Sequence, residues 1–373
     1  MKKKLHTKFI ISMILSAIFL WSFIGSKGEL VENLSVPIGI GIDIVKNTKQ
    51  DELYRLPIAL YVSDPSGNTT TSTVIVGEAN TLGGTRENRQ VKNNKRYLLG
   101  LEKVYVISEE YARDGVRELI DILVHNPQIN DKAFMTICKG KSEDILKYKV
   151  EGYANSTEFI EGMIKNSNYF NFFAPQYTMM DLVVRIDAEG RNIVLPYLEI
   201  KDDGLKITGI ALFNDQKMVA KLDMNEAKIL NLLRENKVQG MLTIQKSPKE
   251  YINYYAKSKR KVKCYKEGEK FKFIIDLNLK GTIASNELYK NFNKDPKVLK
   301  EFTNEMESSI KKQCENFLSV AKCEYKVDFL DLGRVAVAKY GRETGVDWNK
   351  AICESDIEVN VKVKVDTEGR GEY

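Results

Sequence analysis

Two stretches toward the C-terminal end leave little freedom in how the chain can fold. Phe271, Phe273, Ile275, Leu277 and Leu279 alternate with Lys272, Asp276, Asn278 and Lys280. Ile357, Val359, Val361, Val363 and Val365 alternate in the same way with Glu358, Asn360, Lys362 and Lys364. A period of two sends every apolar side chain to one face, the pattern of a half-buried strand in an antiparallel sheet. Such a face needs a cover. Between the two stretches, Asp295-Pro296 opens a long helix to about Lys322, with Asp as cap and Pro in the first turn. Its apolar stripe runs Leu299, Phe302, Met306, Ile310, Cys314 and Phe317. Packing onto the sheet is the favoured use of that stripe, ahead of contact with a partner.

The first half of the chain reads differently. Val36–Val45, Leu56–Ser63 and Ser72–Gly77 are apolar and β-branched, and Asp64-Pro65-Ser66-Gly67-Asn68 is a turn joining the second and third as a hairpin. Glu78–Arg96 is polar and reads as a loop or loose helix. Lys103–Ile107 is a near-continuous apolar run suited to a buried strand. Ser108 caps a helix whose Val116, Leu119, Ile120, Leu123 and Val124 share one face, Pro127 stops it, and Ala133–Cys138 supplies a second strand. Strand, helix and strand in that order predict a right-handed crossover. Further helices are expected near Thr157–Lys165 and Tyr177–Ile186, and a hairpin from Lys206–Phe213 and Met218–Leu222. Asp223 with Glu226 three residues on begins another helix as a capping box. The fold class is therefore α+β or mixed α/β and multi-domain. An N-terminal mixed-sheet region contains a strand-helix-strand unit, and a C-terminal antiparallel sheet is covered by a long helix. The predicted divisions are 1–26 as signal or membrane anchor, 27–203 as an N-terminal region of one or two subdomains, and 204–373 as the C-terminal domain.

Charge decides the compartment. Lys2, Lys3, Lys4 and Lys8 precede an uncharged, largely apolar run from Phe9 to Ser26, and no Asp or Glu occurs before Lys27. This is the pattern of an export signal or an N-terminal anchor. In a helix the run reaches about 27 Å, close to a hydrocarbon core of about 30 Å. The basic end favours the cytoplasmic side, so the rest of the chain is expected outside. Ile24-Gly25-Ser26 makes only a weak cleavage site, so a retained anchor is favoured over cleavage and over a buried helix. Elsewhere acids and bases interleave, as along Lys259–Lys272, which gives no sustained basic surface for nucleic acid. Cys138, Cys264, Cys314, Cys323 and Cys353 are scattered, contain no CxxC pair and suggest no zinc site; most read as small apolar fillers, with one or two bridges left open.

No reactive constellation emerges. The two histidines are His6, in the leader, and His125, placed at a helix end where an imidazolium meets the C-terminal dipole. Gly39-Ile40-Gly41-Ile42-Asp43 lacks the third glycine of a dinucleotide loop, and its glycines are read as relieving crowding in a strand. Gly83-Gly84 lacks the Lys-Ser/Thr of a P-loop. Asp202-Asp203 and the pair Asp328 and Asp331 offer carboxylates that a glycosidase or cation site could use. In a strand, however, Asp328 and Asp331 fall on opposite faces, and solvated charge is the default reading. The expectation is no catalytic residue, no cofactor and no metal.

The ordered set of motifs resembles the Ger(x)C family of spore germination proteins. Its carriers are Gly25–Leu30 followed by Pro37–Asp43; Tyr97-Leu98-Leu99-Gly100 leading into Lys103–Glu110 and Ala112–Val116; Val194–Tyr197 with Gly209–Phe213 and Lys221-Leu222; and Asp328–Gly333 with Trp348 and the final alternating strand. The resemblance implies a multi-domain, non-catalytic subunit of a spore germinant receptor. It would stand on the outer face of the spore inner membrane beside two integral-membrane receptor subunits, responding to a small nutrient that stays unassigned. The family pattern departs at two positions. Ser26 stands where a lipid-modified cysteine is expected, so no lipidation is assigned and Phe9–Ser26 becomes the anchor. Leu101 stands where a histidine is expected. Two other readings are an exported solute-binding module, which needs an apolar cleft with convergent polar groups, and a cell-wall hydrolase, which the isolated carboxylate pairs do not support.

Overall fold

The computed structural model describes residues 2–24, 33–46, 52–63, 70–268, 270–290, 292 and 295–366. Helix α1 (Lys2–Ile24) carries the leader. Strands β1 (Leu34–Lys46), β2 (Glu52–Ser63) and β3 (Thr70–Ala79) pair antiparallel in sequence order, as the expected hairpin requires. The turn expected over 64–68 lies outside the described residues. Helix α2 (Gly84–Gln90) occupies the polar stretch that follows, and the short β4 (Arg96–Tyr97) pairs with β1.

The crossover unit is present, with one departure. Strands β5 (Val104–Ser108) and β6 (Phe134–Cys138) are parallel neighbours, but two helices link them, α3 (Glu109–Asp114) and α4 (Arg117–Val124). Gly115 breaks the run at φ 143°, and the Val116 amide donates to the carbonyl of Gln216 instead of continuing the helix. Helices α5 (Ser142–Lys147), α6 (Ser156–Ser167) and α7 (Met179–Ile186) come next. Asn155 caps α6 and Thr178 forms a capping box with Asp181 at the start of α7. Strands β7 (Val194–Lys201), β8 (Gly204–Asn214) and β9 (Lys217–Asp223) then form an antiparallel edge.

These nine strands make one sheet, ordered β3-β2-β1-β5-β6-β7-β8-β9 with β4 beside β1. Four parallel strands from β1 to β7 form its middle, and antiparallel pairs flank them. The middle strands are buried on both faces, which explains why β5 reads as continuous hydrophobic sequence. The sheet also runs on across the 203/204 boundary read from the sequence, since β8 and β9 pair into it.

Helix α8 (Met224–Arg234) starts at the Asp223–Glu226 capping box and leads to the second sheet. Strands β10 (Gln239–Ser247), β11 (Glu250–Glu267) and β12 (Lys270–Asn286) form a long antiparallel meander. Then α9 (Pro296–Val320), a π-helical turn (Ala321–Tyr325), α10 (Leu332–Tyr340) and α11 (Trp348–Glu354) precede β13 (Asp356–Val365). The expected sheet is antiparallel through its first three strands, but β13 joins β12 in parallel. The reason lies in the connection: a helical excursion returns the chain to the end of the sheet where β12 began. Phe302, Met306, Ile310, Cys314 and Phe317 of α9 are buried, so the stripe does cover the sheet. One hydrophobic core continues from the α5 and α6 face of the first sheet, through α8, to α9 and the second sheet. A separate core fills the α3, α4 and α7 face.

Candidate functional site

Asp328 and Asp331 do not lie on a strand and are not solvated. They sit in the turn before α10 and are 1% and 6% exposed. Asp328 Oδ1 accepts from the amides of Leu330 and Leu332 at 3.0 and 3.2 Å, and Oδ2 from that of Gly333 at 2.7 Å. Its carboxyl is thus a clasp that ties the turn to the first turn of α10. Burial nonetheless pushes it up to about 6, against the pull of those amides.

Asp331 holds the left-handed conformation at φ 55° and points to three arginines. Arg185 of α7 donates to Oδ2 at 2.9 Å. Arg234, at the end of α8 with a fully buried side chain, brings Nη2 to 3.2 Å from Oδ1, and Arg191 Nε stands 3.7 Å from Oδ2. Burial alone would raise Asp331; Arg234 and Arg185 outweigh it and hold the carboxyl below its usual range. Arg234 is further fixed by the carbonyls of Phe329 and Asn192, at 2.6 and 3.0 Å. Arg260, from β11, donates to the carbonyl of Leu330 at 3.0 Å, and burial lowers it to about 10. The groups come from α7 and the loop after it, α8, β11 and the turn before α10, so the seam fastens these elements together. At its heart Gly190 and Gly333 lie back to back. A Cβ on Gly190 would stand 2.4 Å from the Gly333 carbonyl carbon, and the Arg334 amide donates to Gly190 at 2.9 Å.

A cleft of about 620 Å³ opens over this seam, walled by Arg185, Arg191, Arg260, Arg334, Asp331 and Glu235. Its carboxylates are engaged by guanidinium groups, a hydroxyl or a main-chain donor, an arrangement that holds charge in place. The partners of Asp331 were outside the reach of sequence reasoning, because Arg185 is 146 positions away. The one local hint was the spacing of two acids just before a helix.

The other expected positions fall as follows. His125 is the C-cap of α4, its Nδ1 2.6 Å from the carbonyl of Asp121. Asp203 pairs with Lys206 at the exposed turn between β7 and β8. Asp43 is buried at the start of α5, where its carboxylate accepts from the amides of Ser142 and Glu143 at 2.6 and 3.3 Å. Gly39 and Gly41 make room for α5 and α6: a Cβ would stand 2.5 Å from Thr157 Oγ1 and 2.3 Å from Ser142 Oγ respectively. All five cysteines are free thiols, three of them buried. Ser26 lies outside the described residues. Among the described residues no helix is long and apolar enough to cross a membrane, and no cluster of His, Cys, Asp and Glu is grouped to hold a metal.

Comparison with known proteins matches most of the chain beyond α1. Residues 28–200 fit the family model of the spore germination protein N-terminal domain, and residues 208–369 that of spore germination B3/GerAC like, C-terminal. Spore germination protein GerQC of Bacillus cereus is 24% identical over 277 residues, covering 73% of this chain and 76% of that protein. Spore germination protein A3 of Bacillus subtilis (strain 168) is 20% identical over 290 residues, covering 77% and 75%. The crystal structure of the GerBC protein superposes with a TM-score of 0.55 at 16% identity, over 87% of this chain and 97% of that one, which shows a shared fold. With both halves matched in order and the fold shared, the chain belongs to the Ger(x)C family, the C-subunit family of spore germinant receptors.

Proposed function

We propose that the chain acts in germination as a non-catalytic subunit that binds two integral-membrane receptor subunits on the outer face of the spore inner membrane. Phe9–Ser26 tethers it there without lipid. The observation that carries this reading is the state of the buried acids: Asp43, Asp328 and Asp331 are each held by main-chain amides or arginines. These three acids serve the fold, which supports a binding role for the protein. The tether reading is supported by α1, where Phe9, Ile10, Leu15, Phe19 and Trp21 are all more than half exposed. Exposed apolar side chains along a helix gain from a lipid surface.

The test is isolation of the tagged chain from spore membranes. Polytopic subunits should co-purify, and replacing residues 9–26 with an unrelated single-span anchor should preserve their recovery. Recovery that vanishes with the anchor swap would place the contact in the leader and sink the binding role of the folded part. Feeding a fatty-acid probe should leave this chain unlabelled; label at its N-terminal region would overturn the lipid-free tether.

A further inference from the structure

Away from the arginine seam, the other face of the first sheet encloses a second cavity, of about 240 Å³. Ile40 and Ile58 of the sheet, Leu119 and Leu123 of α4, and Leu82 and Leu99 wall it. Arg89 and Arg86 of α2 line it too, and no carboxylate does. Arg89 is 6% exposed. Its Nη1 donates to Thr85 Oγ1 at 3.2 Å, its Nε has no partner, and among the described residues no acid pairs with it. Burial lowers it to about 10, with the nearby Tyr97 opposing that and Arg86 adding a like charge, so it stays cationic at neutral pH. Strand β3 makes room for this arginine: a Cβ on Gly77 would stand 2.6 Å from Arg89 Cγ and 2.9 Å from Nη1.

A buried guanidinium without a counter-charge is costly, and one that lines a cavity marks it as a candidate anion site. We propose that this cavity binds a small carboxylate with an apolar tail, its carboxylate on Arg89 and its tail against the isoleucine and leucine wall. Planar, bidentate carboxylate recognition is the chemistry a guanidinium fits best. At ~30 Å³ per water, the space holds about eight waters, and so a ligand of about eight non-hydrogen atoms. With no carboxylate in the lining and two arginines there, an ammonium group meets like charge and no counter-charge. The site therefore takes a simple carboxylate in preference to an α-amino acid of equal size. This inference stands apart from the binding of membrane subunits, which plays no part in its test.

The test is calorimetric titration of the full-length chain in detergent with hexanoate, hexan-1-ol and leucine. Hexanoate should bind at least about tenfold more tightly than either of the others. Arg89→Met should weaken hexanoate by about tenfold or more and leave hexan-1-ol unchanged, a split that misfolding would not give. Leu99→Trp, which fills the cavity from its wall, should abolish binding of both. The proposal is overturned by absence of hexanoate binding to the wild type up to about 10 mM, by Arg89→Met binding it like wild type, or by leucine binding as tightly.

Discussion

Arg234 and Arg89 are both buried, at 4% and 6% exposure, yet only Arg234 meets a carboxylate and a set of carbonyls. The first lies where two sheets and three helices must be fastened together, and its charge is spent inside the fold. The second lines a largely apolar cavity, where among the described residues its guanidinium hydrogen-bonds Thr85 Oγ1. The difference shows that burial alone does not tell what a charged side chain is for. Its partners do: a satisfied guanidinium is part of the scaffold, and an unsatisfied one is an open valence.

The largest effect that tests this contrast is expected from Asp331→Ala. It leaves Arg185 and Arg234 without their shared counter-ion and should lower unfolding stability by about 3–5 kcal/mol in urea. A loss below about 1 kcal/mol would show that the seam is not held by charge pairing.

Asp328 gives a smaller and pH-dependent effect. Its carboxyl is raised from 3.8 to about 6 in the folded state. The folded protein thus holds that proton more tightly than the unfolded chain. The stabilisation is full below 3.8 and is lost as pH rises through about 6. Asp331 is depressed, so its contribution is present above 3.8 and lost only as pH falls through its folded value. In Asp328→Asn, the decline of stability across the Asp328 window, on the order of 2–3 kcal/mol, should disappear. A decline that persists unchanged would assign the titration to another group.

The smallest effect is expected from Arg89→Met, and its sign is opposite. Removing a buried, unpaired charge should raise the urea midpoint, by about 1 kcal/mol in stability. A loss of similar size would make Arg89 a satisfied structural group after all and erase the contrast with Arg234.

What the sequence made legible follows from the range of each interaction. The capping box at Asp223 and the alternation in β12 and β13 are local, and residues a few positions apart report them. Strand β11 was harder: its first half buries Ile252, Tyr254, Ala256 and Ser258, but the lysines of its second half read only as interleaved charge. The direction of β13 could not be read, because alternation is identical in parallel and antiparallel strands. The acids of the seam were misplaced for a related reason. Treating Asp328–Asp331 as strand put them on opposite faces, whereas a turn with Asp331 at positive φ brings both inward. Arg89 had no signal, since its polar neighbours on α2 conceal one residue that faces an apolar wall.

The parallel joining of β13 to β12 has a kinetic side. Asp276 and Asn360 are register partners 84 positions apart, and their side chains hydrogen-bond at 3.2 Å. Closing so long a loop costs chain entropy before any ladder bond forms, whereas the β10-β11-β12 meander closes through short turns. The meander should therefore zip early and wait, with the apolar face of β12 open, until α9 and β13 arrive. A protease nick anywhere between α9 and α11 would turn that delayed pairing from an intramolecular event into a bimolecular one, and β13 would be the first strand lost.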